Sequence, residues 1–412
     1  MSKNISPITT ENRIISLDIL RGFAILGILI MNIQSFSMIT AAYVNPTAYG
    51  DLTGINKWTW IISHIIADNK FMTIFSILFG AGIVLMSDKI KKAGRKPAGI
   101  YYRRIFWLFV IGMVHAYLFW YGDILVCYAM CGLIVFLFRN LKPGWLFFFG
   151  VLSLLIGSAI YLFFGTTIEY WPEESLENAL KFWAPSDELI MEDLNAYLGS
   201  FMGALRHRMS TSIFLQTMNF LMNEGWHAGG LMLMGMAFYK WKILSGERTN
   251  KLYFNSFILG ALIGIPLVIL GVYQNFNHDW VYEYSMFLGS QYNYLGSVFV
   301  SYAYICLILL LLKKGKFVRC QKTLSLIGRT ALSNYLFQTL ICTMLLYGYG
   351  MGIGLYGKVE RWQMILIAIA VWIIQIALTR YWLKRFRFGP FEWLWRSLTY
   401  WKIQALHIDQ NR

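Results

Sequence analysis

Long hydrophobic stretches, separated by short polar segments, recur from one end of this 412-residue chain to the other. A helix that crosses the hydrocarbon core of a bilayer needs about 20 mainly apolar residues, and the stretches have that length. The pattern therefore predicts an all-α, polytopic integral membrane protein, with residues 1–412 forming a single transmembrane domain. We predict ten spans, at about residues 15–38, 57–86, 105–121, 124–138, 144–165, 213–239, 252–274, 293–312, 331–350 and 361–383.

The composition and the placement of charge give the expected orientation. Only 14% of the residues are charged and 57% are hydrophobic, whereas about 25% are charged in an ordinary soluble domain. The net charge of +15 comes from Lys and Arg in alternate connections, which is typical of cytoplasmic loops. We therefore expect both termini in the cytoplasm, a multi-pass protein of the bacterial inner membrane, and the lipid bilayer rather than nucleic acid as partner.

Two segments outside the predicted spans have distinct compositions. Residues 166–212 are rich in Asp and Glu and are predicted to form an external acidic loop containing one or two helices. Residues 388–412 mix Trp and Phe with Arg and Lys, a composition that favours the cytoplasmic membrane interface.

An unusual pair of charges stands at the start of the first apolar stretch. Asp18 and Arg21 are three residues apart, so both side chains lie on the same face of a helix. One interpretation is a topology anchor, in which Arg21 reaches the headgroups and Asp18 pairs with it. The other is a pair that lines the cytoplasmic mouth of a polar site, since ionisable groups inside a bilayer are costly and usually functional.

Further polar residues lie within later spans. His64 with Asp68, and Glu224 with His227, have helical spacings that place each pair on one face. Several of these residues also have a simpler interpretation. His64 is then a packing residue, Asp68 and Lys70 form an internal ion pair, Asp123 caps an external hairpin, and Arg329 is an anchor at the membrane interface. Taken together, the polar residues within the spans predict a polar cavity that is reached from both sides of the membrane. The set comprises His64, Asp68, Lys70, His115, Asp123, Glu224, His227, Arg329, Asn334 and Gln338.

Several longer motifs resemble a known family. They are LDILRGFAILGILIMNI, KFMTIFSILFGAGIVL, RRIFWLFVIGMVHAYLFWYGDILVCYAMCG, LIGRTALSNYLFQTLICT and GPFEWLWRSLTYW. In these motifs the chain resembles the YeiB-type family of bacterial inner-membrane proteins, which is similar at the level of the fold to the transmembrane acyltransferases. That superfamily includes the heparan acetyltransferase and the sugar O-acyltransferases.

The resemblance implies transfer of an acyl group from a cytoplasmic acyl-CoA, acetyl-CoA being one candidate, to a small-molecule or lipid-linked acceptor outside. Arg21 matches an Arg of the sugar O-acyltransferases, but Asn32 stands where those enzymes have a catalytic His, and an amide is not a base at neutral pH. Another His must then act. His115 with Asp123 is the first choice and His227 with Glu224 the second.

The resemblance to the acyltransferases also implies roles for other residues. Arg21 and Arg329 would contact the CoA phosphates, and Lys70 would stabilise an oxyanion; no metal is expected. The remaining candidates for binding substrate or acyl-CoA are Asp18, Asn32, His64, Asp68, Asn334 and Gln338. The alternative is a transporter or exporter of a small or amphipathic metabolite, and a scaffold or sensor role is a third option. The oligomeric state stays open, with a dimer as one option.

Overall fold

A computed structural model describes residues 14–408 and confirms the all-α fold class. In chain order the helices are α1 (Ile15–Ser37), α2 (Ala41–Val44), α3 (Gly54–Ile66), α4 (Lys70–Lys92), α5 (Pro97–Leu118), α6 (Leu125–Val135), α7 (Pro143–Thr166), α8 (Glu173–Trp183), α9 (Asp187–Leu198), α10 (Phe201–Phe214), α11 (Gly225–Lys240), α12 (Asn250–Asn277), α13 (Tyr282–Tyr284), α14 (Ser290–Lys313), α15 (Val318–Arg329), α16 (Ala331–Leu346), α17 (Arg361–Leu383) and α18 (Pro390–Tyr400). Short 3₁₀ turns follow α6 (Phe136–Asn140) and α7 (Ile168–Tyr170). π-Helical turns precede α11 (Leu215–Glu224) and α14 (Ser285–Gly289).

Within residues 14–408, six helical segments are long and apolar enough to cross a membrane: Ile15–Ser37, Gly54–Lys92, Pro143–Thr166, Asn250–Asn277, Tyr282–Lys313 and Arg361–Leu383. Leu125–Asn140 and Ala331–Leu346 are shorter apolar helices. The protein is therefore a polytopic membrane protein, and the count of ten spans stays a prediction.

Hydrogen bonds group the connections into two sets. At one end, which we call the basic end, Ser16 contacts the 241–249 turn, Lys240 contacts the 139–142 turn, and Trp395 contacts Arg104. At the other, the acidic end, Asn45 contacts Trp183, and Tyr356 contacts Asp193. The two sets correspond to the connections that the charge pattern assigns to opposite sides of the membrane.

Glycines allow the central helices to touch. A Cβ atom added at Gly22 of α1 would lie 1.9 Å from the backbone oxygen of Leu324 in α15, and one at Gly235 of α11 would lie 2.0 Å from that of Ile77 in α4. Small residues at such crossings let membrane helices associate closely without a hydrophobic driving force. Helices α1, α4 and α11 are largely buried, whereas α15 packs along α1 with Ile327 and Gly328 as its buried residues.

Two expectations need correction, and one connection contains a helix that the sequence pattern did not predict. The stretch 57–86 is not one straight span, because α3 ends at Ile66 and α4 begins at Lys70. The acidic loop 166–212 contains three helices rather than one or two, namely α8, α9 and α10. The connection between the eighth and ninth predicted spans contains α15, which packs along α1. The tail 388–412 contains α18, and its residues 409–412 lie outside the described residues, as do residues 1–13.

Candidate functional site

The break between α3 and α4 brings several polar groups into the bundle. Asn69 adopts a left-handed conformation, with φ of 61°, which ends the regular hydrogen bonding. Side chains satisfy the carbonyl groups near the break: Tyr304 donates to Ile66 O at 3.1 Å and Ser301 donates to Lys70 O at 2.8 Å. Irregular backbone at membrane depth is tolerated where protein groups satisfy it in this way or where it lines a polar cavity.

Asn293 of α14 joins the two buried charges beside this break. Its amide oxygen accepts from Lys70 Nζ at 2.5 Å, and its amide nitrogen donates to Asp68 Oδ2 at 2.7 Å. Lys70 Nζ also donates to His64 O at 2.9 Å, and Tyr43 donates to Asp68 Oδ1 at 3.3 Å. Asp68 and Lys70 are thus bridged by an amide, and no direct ion pair between them is found within residues 14–408.

The expected contact between His64 and Asp68 is formed. Nδ1 of His64 lies 3.1 Å from Asp68 Oδ2, so the carboxylate orients the imidazole. The imidazole also stacks on the indole of Trp60, with ring centroids 4.9 Å apart. His64 therefore combines the packing role with the polar contact.

The charge of Asp68 acts on Glu224, but Glu224 and His227 are not found paired with each other among the described residues. Glu224 Oε2 and His227 Nε2 are buried and have no hydrogen-bond partner among the described residues. The His227 ring instead packs against Tyr294, with centroids 4.6 Å apart. The π-helical turn Leu215–Glu224 ends at Glu224, immediately before α11 begins at Gly225. Such turns are frequent at functional sites.

A second polar group surrounds His115 near the end of α5. Nδ1 of His115 lies 2.7 Å from Asp123 Oδ1, and Nε2 lies 2.9 Å from the hydroxyl oxygen of Thr339 in α16. Asp123 Oδ2 accepts from the backbone N–H of Val126 at 2.8 Å, in the first turn of α6. Asp123 thus both orients His115 and stabilises the start of a helix, and the imidazole is only 2% exposed.

The basic end carries the charges expected at a cytoplasmic mouth. Arg21 Nη1 lies 3.1 Å from Asp18 Oδ1, as the spacing predicts. The charges of Arg21 and Arg396 also act on Arg104, whose guanidinium stacks 3.6 Å from the Trp395 ring centroid. A neighbouring groove of ≈ 540 Å³ is lined by the basic side chains of Arg95, Lys96 and Arg103. Its other lining residues are Gly99, Ile100 and Tyr400.

Two of the binding candidates hold helices together. Gln338 donates to Ile25 O at 3.0 Å and to Gln375 Oε1 at 3.1 Å. Asn334 donates to Ile327 O and accepts from Thr379 at 3.2 Å. Both amides are buried and engaged across α1, α15, α16 and α17, which is a structural role for polar groups inside a membrane bundle.

The last two candidates lie apart from these contacts. Arg329 is the final residue of α15, at the basic end. Asn32 is on α1, three turns beyond Arg21, and is partly buried. Neither residue is brought beside His115 by a contact described here.

Sequence reasoning missed Asn293, Thr339 and Glu392. Glu392 of α18 accepts from the backbone N–H groups of Leu332 and Ser333 at 2.6 and 3.1 Å, so it caps α16 from another helix. A polar residue within an apolar stretch is the signal that was available for Asn293 and Thr339. Their partners are more than 220 positions away in the chain, so the sequence did not indicate what they contact.

Comparisons with known proteins agree with the motifs. A family model described as "Protein of unknown function (DUF418)" matches residues 238–402. The "Uncharacterized protein YeiB" of Escherichia coli (strain K12) is 32% identical over 389 residues, which are 94% of this chain and 96% of that relative. The "Uncharacterized protein YxaH" of Bacillus subtilis (strain 168) is 30% identical and covers 98% of each chain. An uncharacterized 39.9 kDa protein of Bacillus acidopullulyticus is 27% identical over 96% of each chain.

Proposed function

This chain belongs to the YeiB-type family of membrane proteins, and from that premise we propose that it transfers an acyl group across the bacterial inner membrane. The donor is a cytoplasmic acyl-CoA, and the acceptor is a small or lipid-linked molecule on the external side. The observation that carries the proposal is the buried contact of His115 with Asp123 at 2.7 Å. A histidine oriented by a carboxylate is the usual arrangement of a general base.

The chemistry follows from the two ring nitrogens. With Nδ1–H donating to Asp123, Nε2 is left as the acceptor and faces a hydroxyl group, that of Thr339. An acceptor hydroxyl in the same position gives its proton to Nε2 while its oxygen attacks the thioester carbonyl carbon. The carbon–sulfur bond then breaks, and the CoA thiolate takes the proton from the imidazolium. Lys70 is the candidate for the oxyanion, since its two hydrogen bonds leave one N–H donor of the ammonium group.

Binding of the donor is assigned to the basic end. Arg21 and Arg104, with the basic groove beside them, present a concentration of positive charge suited to the phosphates of CoA. Asp18 pairs with Arg21 and holds its guanidinium at the start of α1. Arg329 belongs to the same end of the bundle and is the further candidate for a phosphate contact.

Calorimetry and a thiol-release assay test the proposal on protein purified in detergent. We expect acetyl-CoA or a longer acyl-CoA to bind saturably, and Arg21→Ala to weaken binding by about tenfold or more, the loss of one charge-assisted contact. His115→Ala should leave binding intact and reduce turnover by about 10²–10⁴-fold, the usual contribution of a general base. The matched control is His278→Ala, since His278 is exposed at the acidic end, where it stacks on Tyr284 and contacts the backbone oxygen of Gln274. Full turnover in His115→Ala would exclude His115 as the base.

Transport of a small or amphipathic metabolite is the second candidate. The break between α3 and α4, with Asp68 and Lys70 buried beside it, favours it because transporters often bind substrate at interrupted membrane helices. A folded protein that binds no acyl-CoA, yet supports substrate flux in proteoliposomes that is lost in Asp68→Asn, would favour transport over acyl transfer.

A further inference from the structure

Arg208 of α10 is a fully buried cation at the acidic end of the bundle. Its Nη1 donates to the backbone oxygen of Phe119 and to the hydroxyl of Tyr349. Its Nε and Nη2 are buried and have no hydrogen-bond partner among the described residues. These two nitrogens form one edge of the guanidinium, the edge that binds a carboxylate or phosphate through two parallel hydrogen bonds.

No carboxylate compensates this charge within residues 14–408, where no ion pair of Arg208 is found. The acidic residue Asp193 is nearby, but its oxygens are engaged by His207 at 3.1 Å and by Tyr356 at 2.7 Å. An isolated buried charge is strongly unfavourable. The environment of Arg208 therefore favours a bound anion in the native protein.

Arg361 shows how the same protein buries an arginine that has acceptors for both terminal nitrogens. That side chain is also fully buried, but its two terminal nitrogens donate to the backbone oxygens of Asp51, Pro46 and Tyr49 at 2.6 to 3.1 Å. The carboxylate charge of Asp51 also acts on this guanidinium. Among the described residues, its Nε alone lacks a partner. The two arginines differ in their hydrogen-bond acceptors. The loop 46–51 supplies three backbone acceptors to Arg361, whereas the Nε–Nη2 edge of Arg208 has no acceptor among the described residues.

Two further buried donors lie near enough to Arg208 for its charge to act on them, the hydroxyl groups of Tyr197 and Tyr347. Both hydroxyls have no partner among the described residues, and the two rings lie 4.8 Å apart. One cation and two neutral hydroxyl donors make a set that matches an oxyanion. The charge of Asp193 also acts on Tyr197, but the oxygens of that carboxylate are already held by His207 and Tyr356.

We propose that Arg208, Tyr197 and Tyr347 form a binding site for an oxyanionic group, a carboxylate or a phosphate, that enters from the acidic end. Phe201 and Tyr349 cover the guanidinium, at 5.5 and 5.9 Å from their ring centroids, and Phe201 is 40% exposed. The site therefore lies one layer of side chains below the surface. Through Phe119 it contacts the end of α5, four residues after His115. The proposal does not depend on acyl transfer.

Thermal unfolding in detergent tests the site, with sodium phosphate and sodium acetate as probes and sodium chloride at equal ionic strength as reference. We expect the unfolding temperature of the wild type to rise saturably with phosphate or acetate. The rise should be absent in Arg208→Met, which keeps an apolar stem of similar length. Arg206→Met is the matched control, because Arg206 is exposed on the same helix, and it should respond like the wild type. General stabilisation by phosphate affects all three proteins equally and so does not imitate this result.

Tyr347→Phe supplies a second variant in case Arg208→Met does not fold. It keeps the cation and removes one donor, so the concentration of anion needed for half of the shift should rise by about tenfold. To separate a free anion from a lipid headgroup, short-chain phosphatidylglycerol is compared with short-chain phosphatidylcholine. A response to phosphatidylglycerol, but not to phosphatidylcholine, phosphate or acetate, would assign the site to the headgroup of an anionic lipid. The site assignment is overturned if none of these probes shifts the wild type more than Arg208→Met, or if Tyr347→Phe responds like the wild type.

Discussion

Asn293 shows how a single neutral side chain allows two opposite charges to be buried without touching. Its amide contacts Lys70 on one side and Asp68 on the other. The amide accepts a hydrogen bond from Lys70 and donates one to Asp68, which offsets part of the cost of removing each ion from water. His64 and Tyr43 supply the further contacts of the carboxylate. The amide therefore gives both charges a hydrogen-bond partner inside the bundle, in addition to their mutual attraction.

Asn293→Leu is expected to destabilise the protein by about 2–5 kcal/mol, because it leaves Asp68 and Lys70 each without one buried partner. The measurement is the unfolding free energy, or the unfolding temperature, of protein purified in detergent. Asn277→Leu is the matched control: Asn277 is exposed at the end of α12, and its loss should change stability by less than about 0.5 kcal/mol. Equal stability of both variants would show that the amide bridge contributes nothing.

At the scale of helices, close crossings and interrupted elements have different physical causes. Gly22 and Gly235 permit backbones to approach because they lack a Cβ atom. The interruption after α3 is possible because Tyr304 and Ser301 satisfy the carbonyl groups beside it. The first feature sets the distance between helices, and the second allows charged groups to enter the bundle.

Gly22→Ala should separate α1 from α15, because the new methyl group would lie 1.9 Å from Leu324 O. We expect a loss of about 1–3 kcal/mol of stability, the typical cost of overpacking. Thermal unfolding of the detergent-solubilised variant measures it.

Gly99→Ala is the control for this substitution. Gly99 lies in α5, and an added Cβ atom there meets nothing within 4 Å. Alanine is favoured over glycine inside a helix by about 0.5–1 kcal/mol, so this variant should equal or exceed the wild type in stability. If Gly22→Ala were as stable as Gly99→Ala, the crossing of α1 with α15 would not be tightly packed.

For the whole molecule, the two ends differ in charge and in architecture. The basic end holds α15 and α18, which pack against α1 and α5. The acidic end holds α8, α9 and α10, joined to the rest by contacts such as Asn45 with Trp183. The positive-inside rule assigns the basic end to the cytoplasm.

Cysteine labelling of intact cells tests this orientation. Cys320 is exposed at the basic end, in α15. A membrane-impermeant maleimide should therefore leave it unlabelled until the cells are permeabilised. Ser175→Cys in a Cys320→Ser background places an exposed thiol on α8 at the acidic end, and it should react from outside without permeabilisation. The reverse pattern would place the acidic end in the cytoplasm.

The sequence by itself determined the class of this protein, the apolar stretches that form its longest helices, and the charge difference between its ends. These properties depend on local composition, since transfer of a stretch into lipid depends on the residues of that stretch alone. Local spacing also predicted two contacts correctly, Asp18 with Arg21 and His64 with Asp68. Both pairs lie within one regular helix or at its end, where residues three or four apart share a face.

Only the tertiary structure decided which distant groups meet. Spacing placed Glu224 beside His227, but the His227 ring packs against Tyr294 of another helix and the two residues are not found paired among the described residues. The contacts of Asn293 with Lys70 and of Thr339 with His115 join helices that are far apart in the chain. Such contacts depend on how helices cross, and hydrophobic patterning leaves that arrangement open because many rotations of an apolar helix bury similar area.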